Sequence, residues 1–171
     1  NHEKSRAPFR VVAVEKLIDV TYAGIPIRLR VDRIDQIGDD AFLIIDYKTG
    51  SPSLRHWQGD RLEEPQLPLY AVTADFPVVA IAFAQINTKS SQWMGWGNTT
   101  IPQLSIEEPP QGWSYQLAEW HQQLTQLAQN FLAGHAALYY KNSTALQYAE
   151  ALMPLNRLPE QSVLQELRRH D

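Results

Sequence analysis

The sequence predicts a mixed α/β fold, an α+β sheet under helical cover, and three observations predict it. Apolar residues alternate at period two through residues 25–32, a nearly unbroken apolar run fills 42–47, and apolar residues recur at three- and four-residue steps from 114 to about 139. The first pattern fits a half-buried strand, the second a strand covered on both faces, and the third an amphipathic helix.

In chain order, residues 11–15 (Val-Val-Ala-Val-Glu) open as a strand. The alternating segment 25–32 is the second strand, and Gly38-Asp39-Asp40 marks a turn into the third, 42–47. So short a connection makes these two an antiparallel hairpin. Residues 51–60, with Pro52 and Gly59, form a loop. A helix is expected over 63–74, with Glu63 and Glu64 in its first turn, where the helix dipole favours them. Pro65 suits an early helical position, whereas Pro68 calls for a later start or a bend. A buried strand follows over 78–86, then an edge strand or hairpin arm over 93–100, and a linker at Glu107-Glu108-Pro109-Pro110. The helix over 114–139 aligns Leu117, Trp120, Leu124, Leu127, Phe131 and Leu132, and residues from 143 form one or two further helices broken at Met153-Pro154. We expect a single domain over 1–171, with sheet and helix over 1–105 and helical cover over 106–171. The start at Asn1, so close to a strand, suggests a fragment of a longer protein.

Composition narrows the function classes. At 171 residues and 44% hydrophobic content the chain can bury a core without covalent staples. It has no apolar run of about 18 residues and no N-terminal signal pattern, so no membrane association and a cytoplasmic location are expected. The absence of cysteine excludes disulfides, thiolate zinc sites and a cysteine-ligated iron–sulfur cluster. The five histidines include no helical i, i+4 pair, and no Gly-rich phosphate loop is present, which leaves zinc and ATP chemistry without a site. A net charge of −4 is unlike a nucleic-acid binder, so cations for DNA would have to be local.

Asp46 and Lys48 stand two apart on a strand, so both side chains leave one face, roughly 7 Å apart. Reflection across the turn near Gly38 brings Asp32 opposite Asp46. Two carboxylates and an ammonium on one face suit phosphodiester hydrolysis: oxygen ligands hold a hard divalent cation, and a lysine orients water and stabilises developing charge. Taken alone, the Asp-x-Lys pair reads first as a surface ion pair; its place at the end of so apolar a strand makes idle charge costly, and Asp32 beside it brings the two readings level. Gln66 and Tyr70, four apart, share a helix face and either brace this site or merely cap a loop and fill the core.

Val31-Asp32-Arg33-Ile34-Asp35, Ile45-Asp46-Tyr47-Lys48-Thr49-Gly50 and Gln66-Leu67-Pro68-Leu69-Tyr70 occur in an order and spacing that resemble the RecB/AddB-type nuclease domains of the PD-(D/E)XK superfamily. The resemblance covers residues 10–90 well and the C-terminal helices loosely. It implies a restriction-endonuclease-like core and a Mg²⁺-dependent DNA nuclease, with Mn²⁺ as substitute, acting as an exonuclease in repair or recombination. It also implies a helicase domain or subunit as partner. Asp32 and Asp46 then ligate the metal, Lys48 is the catalytic lysine, and Gln66 and Tyr70 form the Gln-x-x-x-Tyr pair that supports the active site and DNA contacts. Arg33 and Asp35 match as structural residues, and Glu15 matches an acidic position in the preceding strand. A further metal-ligating His or Glu on an upstream helix would precede Asn1.

Arg55, His56, Trp57 and Arg61 make the best local cationic cluster, and we expect Arg55 and Arg61 to contact phosphate. Trp93 and Trp96 either stack on bases or pack within a hairpin. Arg168-Arg169-His170 is a solvated end. Two rival functions are a non-catalytic DNA-binding or scaffolding module and a hydrolase of small phosphate esters.

Overall fold

The computed structural model describes residues 6–86, 91–98 and 100–135. Among these, β1 (Arg10–Tyr22), β2 (Ile25–Gln36), β3 (Phe42–Lys48), β4 (Val78–Ile86), β5 (Ser91–Gly97) and β6 (Ile106–Glu107) form one sheet in sequential order. The sheet is mixed: β3 runs parallel to β4 and β5 to β6, and the other neighbours are antiparallel. Helix α1 (Gln66–Thr73) lies on the β3–β4 crossover, and α2 (Trp113–Leu132) follows β6. This is the mixed sheet with helices of a restriction-endonuclease-like fold.

Strand β3 is central, as its apolar run requires. Leu43, Ile44 and Ile45 are no more than 1% exposed because both faces of the sheet are covered. Ile44 joins Ile34, Ile81 and Phe83 in the core that also receives Leu67, Tyr70 and Trp120 from the helices. Leu43 and Ile45 point the other way, to Ala80, Ala82, Leu104 and Ile106. The β2–β3 hairpin closes at the expected turn, where the Ile37 amide donates to the Ala41 carbonyl at 2.8 Å.

Several boundaries differ from the sequence expectation: β2 runs on past residue 32 to Gln36, β5 is Ser91–Gly97 rather than 93–100, and four others bear on the fold. Strand β1 continues to Tyr22, turning into β2 through Ala23 and Gly24, both at positive φ (46° and 87°). That is the geometry of a tight two-residue hairpin. The helix expected from residue 63 begins at Gln66, with Pro65 as its N-cap, so Glu63 and Glu64 lie ahead of it. Pro68 is accommodated because the amides of a first turn have no intrahelical acceptor. Residues 106–107 belong to the sheet as β6 rather than to helical cover. Finally α2 stops at Leu132: Gly134, at φ 75°, donates to the Phe131 carbonyl, and the His135 amide to that of Asn130. This left-handed cap closes the helix short of residue 139. The helices expected from 143 lie outside the described residues.

Trp57, Trp96, Trp113 and Trp120 pack with Phe83 into an aromatic cluster beneath α2. Trp93 and Trp96 are buried, 9% and 5% exposed, so their rings fill the core and the base-stacking alternative falls. Trp120 Nε1 donates to the Trp57 carbonyl at 2.9 Å, joining α2 to the 3₁₀ turn Leu54–Trp57 that follows β3.

Candidate active site at the end of β3

The hairpin register pairs Arg33 with Ile45 and Ile34 with Ile44; continued by one residue, it sets Asp32 across from Asp46. Both lie on the face that carries Ile34 and Ile44, toward α1. Regular pairing ends at Arg33–Ile45, and there the Asp32 carboxylate accepts the Tyr47 amide at 2.9 Å. A side chain thus takes over from the ladder and is held in place by it.

Asp46 is 5% exposed, and Lys48 Nζ lies 2.9 Å from its Oδ2. Burial pushes the Asp46 carboxyl above the usual carboxylate range; Lys48 opposes this, while the Asp32 and Glu64 carboxylates add to it. For Lys48, burial acts against the ammonium but Asp46 and Glu64 outweigh it, holding its pKa above the ordinary value. The lysine is therefore charged at neutral pH. Its stem also lies near the Phe83 ring, with Nζ 5.6 Å from the centroid.

Helix α1 brings Gln66 and Tyr70 to the same place. Gln66 Nε2 donates to the Tyr70 hydroxyl at 3.0 Å, and both reach the Arg30 carbonyl on β2. Burial raises the Tyr70 pKa; Gln66 opposes the shift, and the charges of Asp46 and Asp32 contribute to it, so the phenol stays protonated beside the carboxylates. On the far side, Gln85 of β4 donates to the Gly50 carbonyl at 2.6 Å and fastens the chain just beyond Lys48.

Two residues not assigned to the carboxylate cluster from the sequence stand in it. Glu64 Oε2 is 3.1 Å from Lys48 Nζ, and His56 Nδ1 is 3.2 Å from Glu64 Oε1. His56 Nε2 also faces Glu63, at 3.5 Å, so this imidazole meets two carboxylates where phosphate contact had been considered. Assigning Glu63 and Glu64 to a helical first turn concealed this; the prolines at 65 and 68 were the signal that the helix starts later.

The remaining expected residues are more dispersed. Glu15, at φ 49°, falls across from Asp32 if the β1–β2 register is continued, and its carboxylate pairs with Arg30 at 2.8 Å. Arg55 is exposed on the 3₁₀ turn. Arg61 lines a groove of about 560 Å³ with Leu62, Tyr115 and Gln123, along α2. Arg33 and Asp35 occupy the opposite face of β2: Asp35, fully buried, accepts Arg33 Nε at 2.6 Å and Arg6 at 2.8 Å, and Arg33 also donates to the Tyr47 hydroxyl.

Among the described residues, no three His, Asp or Glu side chains converge closely enough to cage a metal by themselves. The donor set nevertheless fits a cation of the Mg²⁺ kind, which takes one or two carboxylates and completes its shell with water and phosphate oxygens. Asp46 Oδ2 is a buried atom with no aligned hydrogen-bond donor, the Lys48 contact being an off-axis ion pair. A buried anionic oxygen in that state is available for coordination.

The family model of the PD-(D/E)XK nuclease superfamily matches residues 1–142. No curated protein matches the chain.

Proposed function

Given that the chain belongs to the PD-(D/E)XK nuclease superfamily, we propose that it hydrolyses phosphodiester bonds of DNA with Mg²⁺, Mn²⁺ serving as substitute. The observation that carries this reading is the meeting of Asp32, Asp46 and Lys48 on one face where β2 and β3 part. Asp32 and Asp46 are the residues that would hold the cation, which when bound lowers the pKa of a coordinated water and neutralises phosphoryl charge. Lys48, charged and carried on a buried strand, orients the attacking water and donates to the phosphoryl oxygens as their charge grows. The Tyr70 hydroxyl and Gln66 amide hold the β2 backbone at Arg30, two residues from Asp32, and so keep the two carboxylates in register. Exonuclease action in repair or recombination, beside a helicase domain or subunit, rests on the likeness of the three sequence runs to RecB/AddB-type modules.

A second reading, a DNA-binding or scaffolding module that keeps the fold without catalysis, is favoured by the absence, among the described residues, of a third His, Asp or Glu beside the two carboxylates. Incubating wild type, Lys48→Ala and Asp46→Ala with linear DNA and Mg²⁺ separates the two. Catalysis predicts a loss of about 100-fold or more in both variants; equal rates in all three would remove Asp46 and Lys48 from the mechanism.

A further inference from the structure

We propose that Glu64 and His56 are positioning residues, which hold the Lys48 ammonium in its working orientation. The inference rests on the nuclease reading above.

A lysine ammonium is a compact charge with three N–H donors on a flexible four-carbon stem. A single carboxylate neighbour would leave it free to swing about that contact. Here it has two: Asp46 Oδ2 at 2.9 Å and Glu64 Oε2 at 3.1 Å. The two contacts, both at ion-pair distance, confine the ammonium while leaving donor capacity for a phosphoryl oxygen or a water. Orientation of this kind acts on the chemical step and leaves substrate affinity largely alone.

Glu64 is itself fixed. Its Oε1 lies 3.2 Å from His56 Nδ1, and the Glu63 and Glu64 amides both approach the His56 carbonyl, at 3.0 and 3.4 Å. The 3₁₀ turn bearing His56 is anchored in turn through Trp57, which is fully buried, stacked on Phe83 at 4.6 Å and bonded through its carbonyl to Trp120. A continuous set of contacts therefore runs from the aromatic core to the ammonium. None of this is needed merely to close the loop, which the backbone bonds and Trp57 already do.

The test uses the whole chain and the variants Glu64→Gln, His56→Ala, their double and Asp46→Asn. Three readouts are taken: kcat and KM on a DNA oligonucleotide with Mg²⁺, Mn²⁺ affinity by calorimetry, and the ¹H–¹⁵N signal of the Lys48 ammonium by NMR. Glu64→Gln is expected to lower kcat about 10- to 100-fold with KM within about twofold. It should also leave Mn²⁺ affinity within about threefold and abolish the hindered, slowly exchanging Lys48 signal of wild type. His56→Ala should lower kcat less, and the double variant should match Glu64→Gln alone, because residues acting in series are not additive. Unchanged kcat and an unchanged Lys48 signal in Glu64→Gln would overturn the inference. So would loss of Mn²⁺ binding as complete as in Asp46→Asn, which would make Glu64 a ligand instead. If no variant and no wild-type sample cuts DNA while the Lys48 signal still depends on Glu64, the failure belongs to the nuclease reading and the positioning stands.

Discussion

Trp57 offers the sharpest test of how the loop after β3 is held. Its side chain is 0% exposed and stacks on Phe83, with Trp96 and Trp120 at its edges. Emptying such a site by Trp57→Ala should cost about 3–5 kcal/mol, the usual range for a buried tryptophan. Against a total stability of about 5–15 kcal/mol for a domain, that is roughly a fifth or more of the margin. Trp57 Nε1, however, is buried with no hydrogen-bond partner, a condition that costs about 1–3 kcal/mol in wild type. Trp57→Phe keeps a ring against Phe83 and removes the orphaned donor, while forfeiting roughly 2 kcal/mol of buried area and packing. The two terms nearly cancel, so Trp57→Phe should fall within about 1 kcal/mol of wild type. Urea denaturation followed by far-UV circular dichroism measures both variants without relying on tryptophan emission. Equal losses in the two would refute the reasoning, since they would mean that the indole nitrogen is satisfied or that the Phe83 stack contributes nothing.

Other outcomes follow from the same contacts. The Asp46 pKa is raised by burial, so the folded protein binds that proton more tightly than the unfolded chain. Its contribution to stability is therefore full below the unfolded pKa of about 3.9 and is lost as pH rises through the folded one. In metal-free buffer Asp46→Asn should become progressively more stable than wild type across that rise, and saturating Mn²⁺ should stabilise wild type alone; a difference in urea midpoint that stays constant from acid to neutral pH would contradict this. Asp35→Asn leaves the Arg6 and Arg33 guanidiniums buried without their counter-ion and should cost about 3–5 kcal/mol, read from the urea midpoint and slope. Tyr22→Phe deletes a hydroxyl that donates to the His121 carbonyl at 3.0 Å and lies 3.2 Å from Thr125 Oγ1, so a loss of about 1 kcal/mol is expected, without effect on cleavage. No change in its thermal midpoint would show that contact to be idle.

The parts that could be seen in the sequence were those set by local periodicity. Alternation in β2, the apolar run of β3 and the Gly38 turn were enough to bring Asp32 across from Asp46, because hairpin register follows from the turn. What stayed hidden depends on partners distant in the chain. The full length of β1 was missed although Ile18, Val20 and Tyr22 alternate with Asp19 and Thr21, because Glu15-Lys16 interrupts the apolar run before them. Glu64 and His56 belong to an irregular loop whose course is set by Trp57 reaching a helix 63 residues away, and no periodicity reports such a contact. The stop at Gly134 was visible as a glycine near a helix end and was overridden by the apolar stripe that continues beyond it.

The bond between Trp120 and Trp57 also has a bearing on folding order. Asp32, Asp46, Lys48, His56, Glu64, Gln66 and Tyr70 all fall within residues 32–70, a stretch that can pair and cross over early because its contacts are near in sequence. The clamp on the intervening loop comes from α2, which emerges some fifty residues later and closes a long-range contact. During synthesis the chain therefore carries every side chain of the candidate site well before it can hold them still. Tying the loop to the last described helix delays an ordered Lys48 until the domain is built.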